Sequence, residues 1–327
     1  MGLSHCSILN AHPDVEMVGV CDASTFLLDA FRKHSRHACY EDFEKMLNES
    51  HPDCVMIATP TKYHAGMAEL SLSRGIHTFI EKPFTLSLPD DIKLVELAKT
   101  HHLVNQVGFH NRFIGVFREV KRLLDMGILG ELYHFVGEAY GPVVLREGSK
   151  TWRSEDAEGG GCLLDYASHV INLLNYFFGE PHQVKGTVLP RIYSSGVEDA
   201  VYSTLNFPSG ISGILSVNWS DETYRKMSTQ ITIQGTQGKI IADAQELRIF
   251  LRSDNKKEGF AKGWNIRYLT DLTPPVSFYL RGEEYSSQID YFIQCIKGKK
   301  TDNINSFENA LRTDRVIALL REDALRK

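Results

Sequence analysis

Basic runs, CxxC pairs and long apolar stretches are all missing from this chain of 327 residues. No apolar run approaches the roughly 18 residues of a membrane span. The N-terminus carries no apolar signal-peptide core either. Net charge is −5 and pI is near 6.2, so neither nucleic acid nor an anionic membrane surface is an expected partner. The six cysteines (Cys6, Cys21, Cys39, Cys54, Cys162, Cys295) are scattered. Reduced thiols in a cytoplasmic protein are expected, not a disulfide frame or a zinc site. GxSxG, the Walker loop and other hydrolase signatures are absent. So are internal repeats and low-complexity segments.

The chain is 43% hydrophobic and 24% charged, ordinary for a globular protein, and its length suggests about two domains. The first hundred or so residues alternate strand and helix patterns. VEMVGVCD, DCVMIATP, IHTFIEKP and LVNQVGFH read as strands. STFLLDAFRKHS, with Ser24 as N-cap, EDFEKMLNES, KYHAGMAELSLSRG and LPDDIKLVELAKTHH read as helices. That alternation implies βαβ units and a parallel, doubly wound sheet of Rossmann type.

The pattern then changes. After the helix FREVKRLLDMG come long alternating strands joined by Gly-containing turns, as in LYHFVGEAYG and STQITIQGTQGKIIAD. They predict an α+β domain with a large, mostly antiparallel open sheet. The helix CLLDYASHVINLLNYFFG interrupts them, and two helices near 284–297 and 306–325 close the chain. The expected domains are 1–112 and 113–327, with the C-terminal helix a candidate for packing back on the first.

A Rossmann domain opens with a strand and then G-x-G-x-x-G. This chain opens MGLSHCSILNAHPDVEMVGVCD, so the first strand and the first two glycines of that fingerprint are not in it. Gly2 matches the third glycine. Asp22 follows it by 20 residues, a spacing that suits an acid bonding a ribose 2′-hydroxyl. Either Met1 is an internal residue taken as a start, or the protein lacks that strand. The plain alternative makes Gly2 a terminal glycine and Asp22 a turn residue.

Ligands of open α/β sheets sit beyond the carboxyl ends of the strands. Four such ends carry distinctive residues: Asp22, then Thr59-Pro60, then Glu81-Lys82-Pro83, then GFHNRF at 108–113. Gln106 precedes the last of them. Lys82 could donate to a substrate oxygen and handle a proton in a dry site. Pro83 pushes it toward an extended backbone, and X–Pro is the main place where a cis bond is found. A solvated surface turn is the alternative.

A second cluster is EGGGCLLDYASHVINLLNYFFG. Gly159, Gly160 and Gly161 allow close backbone approach before a helix. On that helix Asp165 and His169 are four apart and share a face, which Asn172 and Tyr176 extend. Histidine suits proton exchange near neutral pH, and a carboxylate can orient it. The alternatives are a satisfied buried pair or two metal ligands without a third. Tyr63, His64, Trp152 and Arg153 lie beside these motifs and read first as packing residues.

Taken together the chain resembles the Gfo/Idh/MocA oxidoreductases, the glucose–fructose oxidoreductase and inositol dehydrogenase family. The resemblance rests on VGVCD, VMIATPTKYHAGMAELSLSRGIHTFIEKP, VGFHNRF, GILGELYHF, WRSEDAEGGGCLLDYASHVINLLNYFFG and SFENALRTDRVIALL. These span nearly the whole chain in order. The resemblance implies an N-terminal NAD(P)-binding Rossmann domain, and a C-terminal sheet that forms a homodimer or homotetramer interface. It makes Lys82 the lysine that holds the reacting hydroxyl, His169 the general base and Asp165 its partner.

Cofactor contacts would come from Gly2, Asp22, Thr59, Pro60, His64, Glu81, Lys82 and Gln106. Substrate contacts would come from Asn111, Arg112, Tyr140, Arg153 and Asn172. No metal is expected. Asp22 with no adjacent arginine predicts NAD over NADP. The implied reaction is hydride transfer between nicotinamide and a secondary alcohol of a sugar, cyclitol, sugar acid or nucleotide sugar. YLRGEEYSSQIDYF is faintly similar to segments of members acting on nucleotide or amino sugars. The alternatives are an NAD-using glycosidase or lyase, or a cofactor-blind sensor.

Overall fold

A computed structural model describes residues 1–148, 151–273, 276 and 282–326. The start of YLRGEEYSSQIDYF, 279–281, lies outside the described residues. The chain divides into two units, Met1–Gly108 with Val276–Glu308, and Phe109–Pro275 with Asn309–Lys327.

The first unit runs α1 (Gly2–Ala11), β1 (Val20–Cys21), α2 (Thr25–His34), β2 (Cys39–Tyr40), α3 (Phe43–Ser50), β3 (Cys54–Ile57), α4 (His64–Ser73), β4 (His77–Ile80), α5 (Leu88–Thr100) and β5 (Asn105–Val107). Side chains written into the sequence start the helices. Ser24 accepts from the Leu27 amide, and Asp42 from the Lys45 amide at 2.6 Å. Gly75, at φ 77°, follows the end of α4. All the pairings are parallel, β1 with β2 and β3-β4-β5, as alternation of strand and helix requires. Among the described residues they form two sheets, not one.

The second unit contains α6 (Gly115–Asp125), β6 (Leu132–Tyr140), α7 (Ser168–Phe178), β7 (Gln183–Val188), β8 (Ala200–Asn206), β9 (Ser212–Asn218), β10 (Ser228–Gly235), β11 (Gly238–Ala242), β12 (Glu246–Leu251), β13 (Gly263–Tyr268) and α8 (Leu269–Leu272). The eight strands form one sheet in the order β13-β12-β11-β10-β6-β9-β8-β7. Every pair is antiparallel except β6 with β9. β7, β12 and β13 went unread in the sequence.

The two closing helices divide between the units. It is α9 (Glu283–Ile296) that belongs to the first unit, while α10 (Phe307–Leu325) belongs from Asn309 onward to the second. The first break falls after Gly108 rather than at 112.

One face of the large sheet is covered. Phe135, Gly137 and Ala139 of β6 point to it, with Ile231, Ile233, Leu215 and Val217. Gly137 lets α7 sit down on the strand, since a Cβ there would lie 2.8 Å from Val170 Cγ1 and 3.4 Å from Leu174 Cδ1. Gly137→Val should therefore lift α7 and destabilise the second unit by about 1–3 kcal/mol. Denaturant unfolding of the variant measures it.

Candidate functional site

In the first unit the ladder continues one residue past the strands. The Glu81 amide donates to Ile57 O at 2.8 Å, and the Gly108 amide to Ile80 O at 2.8 Å. Glu81 thus lies at the carboxyl edge beside Gly108. A Cβ on Gly108 would stand 2.9 Å from Glu81 Oε1, so glycine here makes room for the carboxylate. His5 Nε2 meets Oε1 at 2.6 Å, with both side chains buried. The Lys82 amide donates to Oε2 at 3.3 Å. Glu81, expected as a cofactor contact, meets donors inside the unit, as a buried carboxylate requires.

Lys82 is half-buried, and its bond to Pro83 is cis. The chain after it is stapled by His64, another of the expected cofactor contacts. His64 is buried, with Nε2 2.9 Å from Thr59 O and Nδ1 3.0 and 3.1 Å from the carbonyls of Pro83 and Phe84. Burial pushes its pKa below the ordinary histidine value, and the three carbonyls offset this in part. His64 locks the turn after β3 to the turn after β4. Thr59 is half-buried, with Oγ1 3.7 Å from Met67 Sδ, and Pro60 is exposed.

Gln106, also an expected cofactor contact, has a partner in its own unit. It sits on the face of the sheet that carries Phe79, and its Nε2 donates to Gln288 O of α9 at 2.9 Å. A middle position of β5 turns that side chain onto a helix and not toward the edge.

Asp22 directly follows β1, and its Oδ1 accepts from the Ser24 amide at 2.8 Å. Gly2 opens α1, whose first turn has no side-chain cap among the described residues. A Cβ at Gly2 would meet Ala58 at 3.9 Å, ordinary contact, so space alone does not demand glycine. Amides at a helix start suit a phosphate, and an acid at a strand end suits a ribose hydroxyl. These residues fit a dinucleotide.

In the second unit, α7 is preceded by a turn of π-helix, Leu163–Ala167. Such turns cluster at functional sites, and no residue pattern in the sequence announced this one. It replaces the α-helical geometry assumed between Asp165 and His169. Asp165 Oδ2 accepts from Arg153 Nε at 3.0 Å, and Arg153 also covers the Trp152 ring at 4.5 Å. His169 is 3% exposed, its ring edge-on to Phe109 (5.9 Å, 88°) and to His110 (5.0 Å, 65°). His110 lay inside GFHNRF but was not singled out in the sequence.

The glycines before the π turn answer close contacts. A Cβ on Gly160 would strike the carbonyl of Arg153, and one on Gly161, at φ 100°, would strike Glu198. Glu198 also accepts from the Leu163 amide at 2.8 Å, and burial raises its pKa. Next to it Asp199 is fully buried. Its Oδ2 accepts the amides of Ile192, Tyr193 and Ser194, and its Oδ1 accepts Trp219 Nε1 at 2.7 Å. Burial alone would raise the Asp199 pKa, but the bonds from Ser194, Trp219 and Tyr193 bring it below the usual carboxylate value.

Three expected substrate contacts have other employment. Arg112 is 2% exposed, donates from Nε to Asn172 Oδ1 at 2.6 Å and from Nη2 to Asn172 O at 2.9 Å, and lies over Tyr176. Burial pushes its pKa down to about 9. Asn172 Nδ2 donates to Thr313 of α10 at 3.1 Å. The polar stripe of α7 is thus met by side chains of its own unit. Tyr140 lies on the sheet face opposite α7, bonded to Ser216 at 2.7 Å and stacked on Tyr224. Asn111 is buried in the same 3₁₀ turn as Arg112.

The two units, one parallel and one built on a single large sheet, match the two domain models of a family of NAD-binding oxidoreductases. Residues 1–109 match the oxidoreductase family with NAD-binding Rossmann fold, and 117–241 match the GFO/IDH/MocA C-terminal domain. The chain belongs to the GFO/IDH/MocA oxidoreductase family. An uncharacterized oxidoreductase of Schizosaccharomyces pombe is 31% identical over 249 residues, 74% of this chain and 67% of its own. D-glucoside 3-dehydrogenase of Escherichia coli is 27% identical over 233 residues, 64% of each chain. The scyllo-inositol 2-dehydrogenase (NAD+) of Bacillus subtilis is 25% identical over 85% of this chain and 77% of its own. A solved levoglucosan dehydrogenase, in complex with NADH and levoglucosan, shares the fold with TM-score 0.87 at 21% identity, covering 100% of this chain and 95% of its own.

Asp199→Ala should cost about 2–3 kcal/mol, since it leaves an indole N–H and three amides without their acceptor. The native carboxyl has the lowered pKa, so its contribution is present above the unfolded carboxyl pKa and fades as pH falls through the native one. The stability gap between wild type and variant should therefore begin to narrow as pH falls below about 4, which unfolding at stepped pH would measure.

Proposed function

We propose that this protein is an NAD-dependent dehydrogenase acting on a secondary alcohol of a sugar, cyclitol, sugar acid or nucleotide sugar. The observation that carries the reading is the buried His169, set one helical turn past an Arg153-held Asp165 within a family of NAD-binding oxidoreductases. Gly2, Asp22, Thr59, Pro60 and Lys82 would hold the cofactor. Bound NAD would supply the hydride acceptor.

The chain's own groups do the rest. Lys82 holds the substrate oxygen through its ammonium and steadies the charge that develops there. His169 takes the hydroxyl proton. Asp165 orients His169, and Arg153 holds Asp165. Asn111 and Arg153 contact the substrate's other hydroxyls. The relatives that act on a glucoside and an inositol support a polyol substrate. Asp22, without an adjacent arginine, favours NAD over NADP. Six free thiols suit the cytoplasm.

His169→Asn should lower turnover by roughly 10²–10⁴ while leaving NADH affinity nearly unchanged. Rates on a polyol panel, with NADH and NADPH binding followed by nicotinamide fluorescence, test this. Unchanged turnover would remove His169 from the chemistry, and tighter NADPH would overturn the NAD preference. Glycoside cleavage without net NADH would replace the dehydrogenase with a transient-oxidation hydrolase.

The second unit is proposed to pair with a second copy through the open sheet face. Ile214, Trp264, Ile266 and Tyr268 lie on that face at 45%, 56%, 50% and 53% exposure. Exposed apolar side chains on an open sheet face favour association. Joint Trp264→Glu and Ile266→Glu changes should shift sedimentation to the monomer. A monomeric wild type would exclude the interface.

A further inference from the structure

We infer that His110 is a positioning residue for His169, and that the two rings share a single positive charge. The inference rests on the proposed role of His169 and adds a residue to it. The rings stand 5.0 Å apart between centroids at 65°, and Phe109 closes another side of His169 edge-on. Both histidines sit in elements the fold holds firmly. His110 opens the 3₁₀ turn His110–Phe113, which Arg112 ties to α7 through both its bonds to Asn172. His169 lies in the first turn of α7. That tie fixes the backbone from which each ring projects.

Charge and burial act on the pair in opposite directions. Asp165, four residues before His169, favours a charged imidazole. Arg153 on Asp165 offsets that pull. Arg112, in His110's own turn, is a fixed cation committed to Asn172 and Tyr176. Of the two rings, His110 is half-buried and His169 buried. Burial disfavours charge on His169 while Asp165 favours it, so the two rings compete for the first proton taken up as pH falls. A second charge at this distance is opposed by the first. His110 therefore keeps His169 neutral, and able to take a substrate proton, to lower pH than His169 would manage alone.

The test is a ring-carbon NMR titration of the protein without substrate, the His169 resonance being assigned by its loss in His169→Gln. In His110→Phe, which keeps an aromatic ring against His169, the His169 midpoint should move up by about one pH unit. His110→Gln should move it likewise. A midpoint unmoved in both variants overturns the inference, because a ring serving only as packing is replaced by phenylalanine. The acid limb of kcat/KM should shift in parallel. If the resonance moves but no alcohol is oxidised with NAD, the coupling stands and the dehydrogenase reading falls.

Discussion

Glu81 leaves water at the end of a buried strand, and its charge has to be met there. His5 meets it from α1 at 2.6 Å, and the Lys82 amide from the next residue. Gly108 yields the space. One buried carboxylate thereby joins α1, the end of β4 and the residue after β5. Lys82 is presented from this anchored point, and His64 fixes the chain that follows it to the turn after β3. The charged pair that interrupts an apolar strand has divided duties. The carboxylate builds the edge, and the lysine is left half-exposed on it.

The second unit obeys the same constraint. Asp165 is held by Arg153, Glu198 by the Leu163 amide and Asp199 by three amides and an indole. Each pairing pins a segment that regular structure does not hold, namely the turn at 152–154, the start of the π turn and the loop at 192–194. The triple glycine lets those segments close on each other. The second unit's proposed chemistry therefore rests on a floor of satisfied carboxylates. Gly137, by letting α7 approach β6, sets the depth at which His169 lies.

Much of this was readable in advance. Ser24 as an N-cap, Gly75 past the end of α4, and the switch from parallel to mostly antiparallel strands all follow from local chemistry and periodicity. The family was legible from EKP and GGG…D…H together. Residue roles were less so. Arg112, Asn172, His64 and Gln106 carry polar groups near the right motifs, and that is all a linear pattern records. Whether such a group faces a ligand or another side chain depends on what the fold brings opposite it. For Arg112 that is Asn172, sixty residues away.

The sequence by itself determined the parallel and antiparallel halves, the Ser24 cap, and the place of His169 in its helix. These depend on neighbours a few residues apart. Only the tertiary structure decided that Glu81 belongs to His5, that Tyr140 lies on the face away from α7, and that His110 stands against His169. It also decided that the helix returning to the first unit is α9. Each of these pairs groups remote along the chain or placed by irregular backbone. No periodicity encodes such a meeting, because it is set by packing and by the requirement that buried charge find a partner.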